Sequence, residues 1–271
     1  MKKNWPIIIL ISIAIALCFQ NYTPGTILSG WDTLHPEFNF WLNIKREIFG
    51  VFRSYQGLGA VAAHSDMADL PRIITLAIFN LFLPLDFLRY SFIFLNLILG
   101  PIGIYCFLKR VVFSKTANES TIPSFLGALF YLLNLGTMQQ FVVPLEMFTT
   151  QYAVLPWIFL FATEYLNSKM HQKKTLILFA IATLLSSPMA YAATLWYMYF
   201  ISFALFILSL TFARALKRDF SLVKKALTLI ILTILLNSFW ILPNIYYIIN
   251  HAREVTQANS NKLFFSPSLP L

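Results

Sequence analysis

Long apolar runs separated by short charged clusters constrain this chain more than any other feature. Residues Trp5–Phe19 carry no charge, and further uncharged or nearly uncharged stretches follow from Phe87 onward. Several approach or exceed the roughly 18–20 apolar residues that cross a bilayer as a helix. Charged residues make up only 11% of the sequence and mean hydropathy is +0.70, whereas soluble domains carry roughly 25% charged residues. The pattern predicts an all-α, polytopic transmembrane helical bundle forming a single membrane domain. A transmembrane β-barrel would show short alternating segments instead.

The formal net charge of +9 does not point to nucleic acid. The basic residues sit in short clusters between apolar spans, the distribution that the positive-inside rule produces. Met1–Gln20 begins with Lys2 and Lys3, and Ala16-Leu17-Cys18-Phe19-Gln20 lacks a small-x-small cleavage pattern. It reads as an uncleaved anchor entering from the cytoplasm. Spans are expected at about 87–108, 122–141, 150–167, 175–190, 192–213 and 226–250, about seven crossings with the anchor. Arg72–Pro84 is too short to cross and reads as an interfacial or re-entrant helix. With that parity, 13 of the 20 Lys and Arg residues lie inside and 7 outside; were the segment to cross, every later cluster would face outward. Prolines 101, 144, 156, 188 and 243 mark expected kinks or span ends. Cys18 and Cys106 fall near opposite faces, so no disulfide between them is expected.

In this topology the protein sits in the cytoplasmic membrane of the cell, with residues 21–86 on the external side as a long first loop with two interfacial helices. Pro36–Arg53 reads as one of them, with Trp41, Ile44, Ile48 and Phe52 on one face and Asn39, Asn43, Arg46, Gly50 and Arg53 on the other. Residues 251–271 turn polar and read as the start of a further external segment, which makes the chain the expected N-terminal part of a longer protein.

Chemistry concentrates in that loop. Residues 21–70 hold Asp32, Glu37, Glu47, Asp66 and Asp69, five of the eleven acids, together with His35, His64, Lys45, Arg46 and Arg53; Arg72 follows directly. A carboxylate beside a hydrated cleft can accept the proton of an acceptor hydroxyl. Basic side chains at the interface can hold a lipid phosphate. Asp32 and Glu37 are the catalytic candidates, and His35, Arg46, Arg53, His64, Asp66, Asp69 and Arg72 the substrate-binding ones. Each also admits a structural reading. Asp32 could close a turn after Gly30, Glu37 could serve the helix dipole, Asp66 and Asp69 could be loop charges or caps, and Arg46 and Arg53 could anchor a helix to anionic lipid. The His and acid spacing matches no zinc motif, so no metal or other cofactor is assigned. Few ionisable groups fall within spans, which argues against an ion-driven transporter.

Gly30-Trp31-Asp32 followed by Pro36-Glu37, then Tyr55-Gln56-Gly57-Leu58-Gly59, Leu83-Pro84 and Leu88-Arg89-Tyr90, resembles the GT-C superfamily of membrane glycosyltransferases. Over residues 1–110 the pattern is most similar to the N-terminal membrane region of bacterial α-(1→3)-arabinofuranosyltransferase-like proteins. The resemblance implies inverting transfer from a polyprenyl-phosphate sugar donor to a glycan or lipid acceptor outside the cytoplasm, with Asp32 as the base. Many members place two acids side by side, whereas the second acid here is Glu37, five residues on. A flippase or transporter of lipid-linked sugars, or a non-catalytic membrane anchor for an external domain, are the alternative functions.

Overall fold

A computed structural model describes residues 5–29, 35–53, 60–114, 120–142, 144–167, 172–215 and 220–257. Within them ten α-helices are linked by short connections: α1 Trp5–Gln20, α2 Phe40–Phe49, α3 Leu70–Phe79, α4 Leu85–Phe107, α5 Thr121–Leu133, α6 Leu135–Val142, α7 Glu146–Asn167, α8 Gln172–Leu185, α9 Ala193–Ala215 and α10 Phe220–Gln257. The only strands among the described residues are the two-residue pair β1 Phe52–Arg53 and β2 Ala60–Val61, antiparallel.

Contacts between helices fix their direction. At one end, here the lower, Trp5 of α1 meets Phe125 of α5, Arg110 just beyond α4 pairs with Glu164 of α7, and Lys225 of α10 donates to the Tyr165 carbonyl. At the upper end Tyr22, just past α1, packs on Phe87 and Tyr90 of α4, Arg89 of α4 pairs with Glu146 of α7, and Asn244 of α10 donates to Tyr197 of α9. The chain therefore passes along the bundle seven times, as α1, α4, α5–α6, α7, α8, α9 and α10. The described residues between 21 and 84 lie across the upper end between the first two passes.

Among the described residues four segments are long and apolar enough to cross a membrane: Leu85–Val112, Gln172–Tyr191, Ala193–Phe212 and Ser221–Asn250. The pair α5–α6, bent by 43° at Asn134, makes a fifth if it counts as one span. Pro101, Pro156 and Pro243 lie inside helices, while Pro188 opens the 3-10 turn Ser187–Tyr191 that ends the α8 pass. Ser187 Oγ then donates to the Ala68 carbonyl at 2.7 Å and fastens the upper loop to the bundle. Cys18 and Cys106 are both free.

The expected helix over Pro36–Arg53 is interrupted. Pro36–Phe38 forms a separate 3-10 turn, because extended Asn39 (φ −160°) stops it and caps α2 by accepting from Leu42 N–H at 3.0 Å. The helix ends at Phe49, so Arg53 and Phe52 sit on β1 instead. At Gly50 a Cβ would meet the Arg46 carbonyl oxygen at 2.2 Å and Asp66 Cβ at 3.3 Å, so this close approach needs glycine. α3 has 10 residues, about 15 Å at 1.5 Å per residue, which cannot cross a bilayer. α10 continues to Gln257, beyond the expected end at Asn250. Residues 258–271, and the Gly30-Trp31-Asp32 and Tyr55–Gly59 motifs, lie outside the described residues.

α4 and α7 run parallel and form the centre of the bundle through small residues. A Cβ at Gly100 would lie 2.3 Å from the Tyr152 ring; at Gly103 it would lie 2.8 Å from Trp157 Nε1 and 2.9 Å from Pro156 Cβ. Helices in lipid approach closely where such residues meet, because dispersion contact replaces the hydrophobic driving force. Trp157 Nε1 adds a hydrogen bond to the Leu99 carbonyl at 3.1 Å. Gly103→Val should destabilise the protein by about 1–3 kcal/mol through overpacking against the stiff Pro156 ring, read as a lowered midpoint of thermal unfolding in detergent.

Candidate functional site

The site grows from the upper loop, whose helix α2 is turned the opposite way from a helix in a soluble protein. Trp41 and Phe49 are 77% and 74% exposed, whereas Glu47 and Gly50 are buried and Arg46 is half-buried. Its apolar face points away from the protein and its polar face points in. The inward face rests on the 3-10 turn Met67–Asp69 and on α3, which deliver Asp66, Asp69 and Arg72.

Two linked lobes of charge result, with buried carboxylates at the centre of each. In the inner lobe Arg72 Nε donates to Asp69 at 2.8 and 3.0 Å, and its Nη1 lies 3.5 Å from Glu146 Oε1. Arg89, one turn into α4, pairs with the same Glu146 oxygen. His35 Nδ1 lies 3.1 Å from Glu37 Oε1, and Arg89 Nη1 approaches its ring nitrogens at 3.0 and 3.1 Å. In the outer lobe Arg46 and Arg53 both pair with Asp66, Arg46 at 3.1 Å. Glu47 lies between the lobes.

Asp69 and Asp66 are thus neither free loop charges nor caps, since neither side chain bonds a helix N-terminus. Arg72 is committed to two carboxylates within the protein and is 3% exposed. Glu37 is likewise buried rather than a solvated first-turn acid. His64 sits in the turn after β2; burial, together with the neighbouring Arg53 charge, lowers its pKa below the ordinary value. Every described residue singled out from the sequence as a site candidate therefore falls in or beside one network. Asp32 lies outside the described residues.

Three members went unassigned from sequence: Arg89, Glu146 and Glu47. Arg89 and Glu146 fall at the starts of the spans expected at 87–108 and 150–167, and the available signal was their opposite sign at the same end of the bundle. Glu47 carried no signal, because its neighbours come from elements up to 25 residues away.

Counted formally among the described residues, Arg46, Arg53, Arg72 and Arg89 face Glu37, Asp66, Asp69 and Glu146, with Glu47 as a fifth acid. Burial, reinforced by the Asp69 charge, pushes the Glu47 pKa up to about 9 against the opposing influence of Arg72, Arg46 and Arg53. Glu47 is therefore protonated at neutral pH, and the remaining charges balance. Burial alone would lower the Arg72 pKa; Asp69 and Glu146 more than reverse this and hold it above its usual value. Glu37 Oε2, both Glu47 oxygens, Glu146 Oε2 and His64 Nδ1 are buried without a protein hydrogen-bond partner. No three His, Cys, Asp or Glu side chains among the described residues come together as a metal site.

Removing one partner of a buried ion pair strands the other charge at about 3–5 kcal/mol. Glu146→Ala deprives both Arg89 and Arg72 of a carboxylate and should fall in or above that range, measured by thermal unfolding in detergent. Glu47 works in the opposite sense. Its folded pKa, about 9, lies above the ordinary value of 4.5, so its contribution to stability is fully present below about pH 4.5 and is lost as pH rises toward 9. Glu47→Gln should raise the unfolding midpoint at pH 8 and flatten its decline between pH 5 and 9.

Comparison of the chain with protein-family models, with curated proteins and with solved structures found no match.

Proposed function

We propose that the chain is a GT-C-type membrane glycosyltransferase, moving a sugar from a polyprenyl-phosphate donor to a glycan or lipid acceptor outside the cytoplasm. The observation that carries this is the gathering of His35, Glu37, Asp69, Arg72, Arg89 and Glu146 into one buried network beneath a helix whose apolar face turns outward. Such a network is an expensive way to hold helices together, since apolar replacements of buried ion pairs are often no less stable. Its placement at a lipid-facing bundle end suits chemistry on a charged amphiphile.

Asp32, three residues before His35 in the sequence, is the proposed base. It takes the proton of the acceptor hydroxyl as that oxygen attacks the anomeric carbon, and the polyprenyl phosphate departs with the bonding electron pair. One displacement inverts the anomeric centre. Arg46 and Arg53, partly exposed on the rim, receive the donor phosphate. Arg72, Asp69, Arg89 and Glu146 hold His35 and Glu37 in position from below.

The seven passes are proposed as seven membrane crossings. Lys109, Arg110, Lys173, Lys174, Lys224 and Lys225 all lie toward the lower end, as the positive-inside rule requires of a cytoplasmic face. That orientation gives a cytoplasmic N-terminus in the cell membrane and an external site.

Asp32→Asn should lower transfer from a radiolabelled polyprenyl-phosphate sugar by about 10²-fold or more while membrane insertion and unfolding temperature stay unchanged. Transfer retained by this variant removes Asp32 as the base. Movement of the lipid across the bilayer without a new glycosidic bond assigns the protein to translocation instead.

A further inference from the structure

We propose that the cleft between α2 and β1 binds a lipid phosphodiester and that Glu47, buried behind its cationic wall, holds its proton to higher pH once the cleft is filled. This deepens the glycosyltransferase reading and rests on it for the class of ligand. The cleft encloses about 460 Å³. One wall is cationic, formed by Lys45, Arg46 and Arg53, and the other apolar, formed by Leu42, Phe49 and Phe52, which are 59%, 74% and 52% exposed. A phosphodiester headgroup satisfies the first and an attached hydrocarbon chain the second, so a lipid fits where a soluble phosphate would leave the apolar wall uncovered.

Glu47 follows Arg46 on α2, and both of its carboxyl oxygens are buried without a protein partner. The charged groups that act on it are Asp69 from the 3-10 turn, Arg72 from α3, Arg46 on its own helix and Arg53 from β1. Lys45, Arg46 and Arg53 set against Asp66 leave a formal excess of positive charge at the cleft, and an ionised Glu47 would cancel one unit of it. An anion entering the cleft therefore favours the neutral form of Glu47. By reciprocity the neutral form favours the anion. The proton comes from solvent and resides on a Glu47 oxygen; the phosphodiester itself does not titrate in this range.

The test uses the full chain in detergent, in a Lys45→Arg background so that no lysine in the cleft titrates, with dihexanoyl phosphatidylglycerol as the probe. Calorimetric titration at pH 9 in two buffers of different ionisation enthalpy counts the protons taken up. The expected result is fractional proton uptake and an affinity several-fold weaker at pH 10 than at pH 7.5. Both effects should disappear in Glu47→Gln, which still binds. Undetectable binding, or proton uptake that persists in Glu47→Gln, overturns the proposal. Glycerophosphoglycerol binding as tightly as the lipid overturns the assignment of a lipid ligand. Asp32-dependent transfer alongside a Glu47-independent proton count would defeat this inference alone. Glu47-linked binding in a protein without transfer activity would defeat the glycosyltransferase reading alone.

Discussion

Charge that leaves water at the end of a lipid-embedded bundle must find opposite charge inside the protein, and the upper half of this structure is arranged around that requirement. Glu146, at the first residue of α7, receives Arg89 from α4 and Arg72 from α3 on one oxygen. A single carboxylate thus joins two passes of the bundle to the upper loop. Below it the same two passes, α4 and α7, meet through Gly100 and Gly103. The parallel approach of these helices brings Arg89 and Glu146 to the same height, and their pairing keeps the approach in register.

The loop over this end is held from both sides. Ser187 ties it to the turn after α8, and Asp66 draws Arg46 and Arg53 inward from two different elements. α2 is consequently fixed with its polar side down. Its apolar side is left to face outward, which is stable only where the surroundings are hydrocarbon or headgroup rather than water. At the lower end the contrast is clear: Arg110 and Glu164 also pair, but with side chains 60% and 31% exposed. A pair as wet as that contributes little, at most about 1 kcal/mol.

Much of the architecture was legible because bilayer length and helix period are local properties. The expected spans at 87–108, 175–190, 192–213 and 226–250 correspond to the membrane-length segments Leu85–Val112, Gln172–Tyr191, Ala193–Phe212 and Ser221–Asn250, whereas α1 and α7 are helices that do not meet that measure. The shortness of α3 and the turn at Ser186-Ser187-Pro188 were equally readable. Where the reading went astray, one residue outweighed the pattern. Asn39 divides the expected amphipathic helix, and its side chain does so by capping α2 at a position where periodicity alone continues the run. Asp69 occupies a cap position in the sequence, yet its carboxylate goes to Arg72 because a guanidinium in a dry site binds it more strongly than a backbone N–H does.

Taken by itself, the sequence determined an all-helical bundle with several membrane-length apolar segments, a polar loop between the first two passes, and which ionisable residues that loop contains. It did so because hydropathy, charge spacing and proline placement act over a single turn or a single span. Only the tertiary structure decided that His35, Glu37, Asp69, Arg72, Arg89 and Glu146 share one network and that Glu47 lies neutral between its two lobes. The partners come from elements separated by as many as 111 residues, His35 to Glu146, and electrostatic pairing in a dry interior depends on distance in space, which the linear order of residues does not encode.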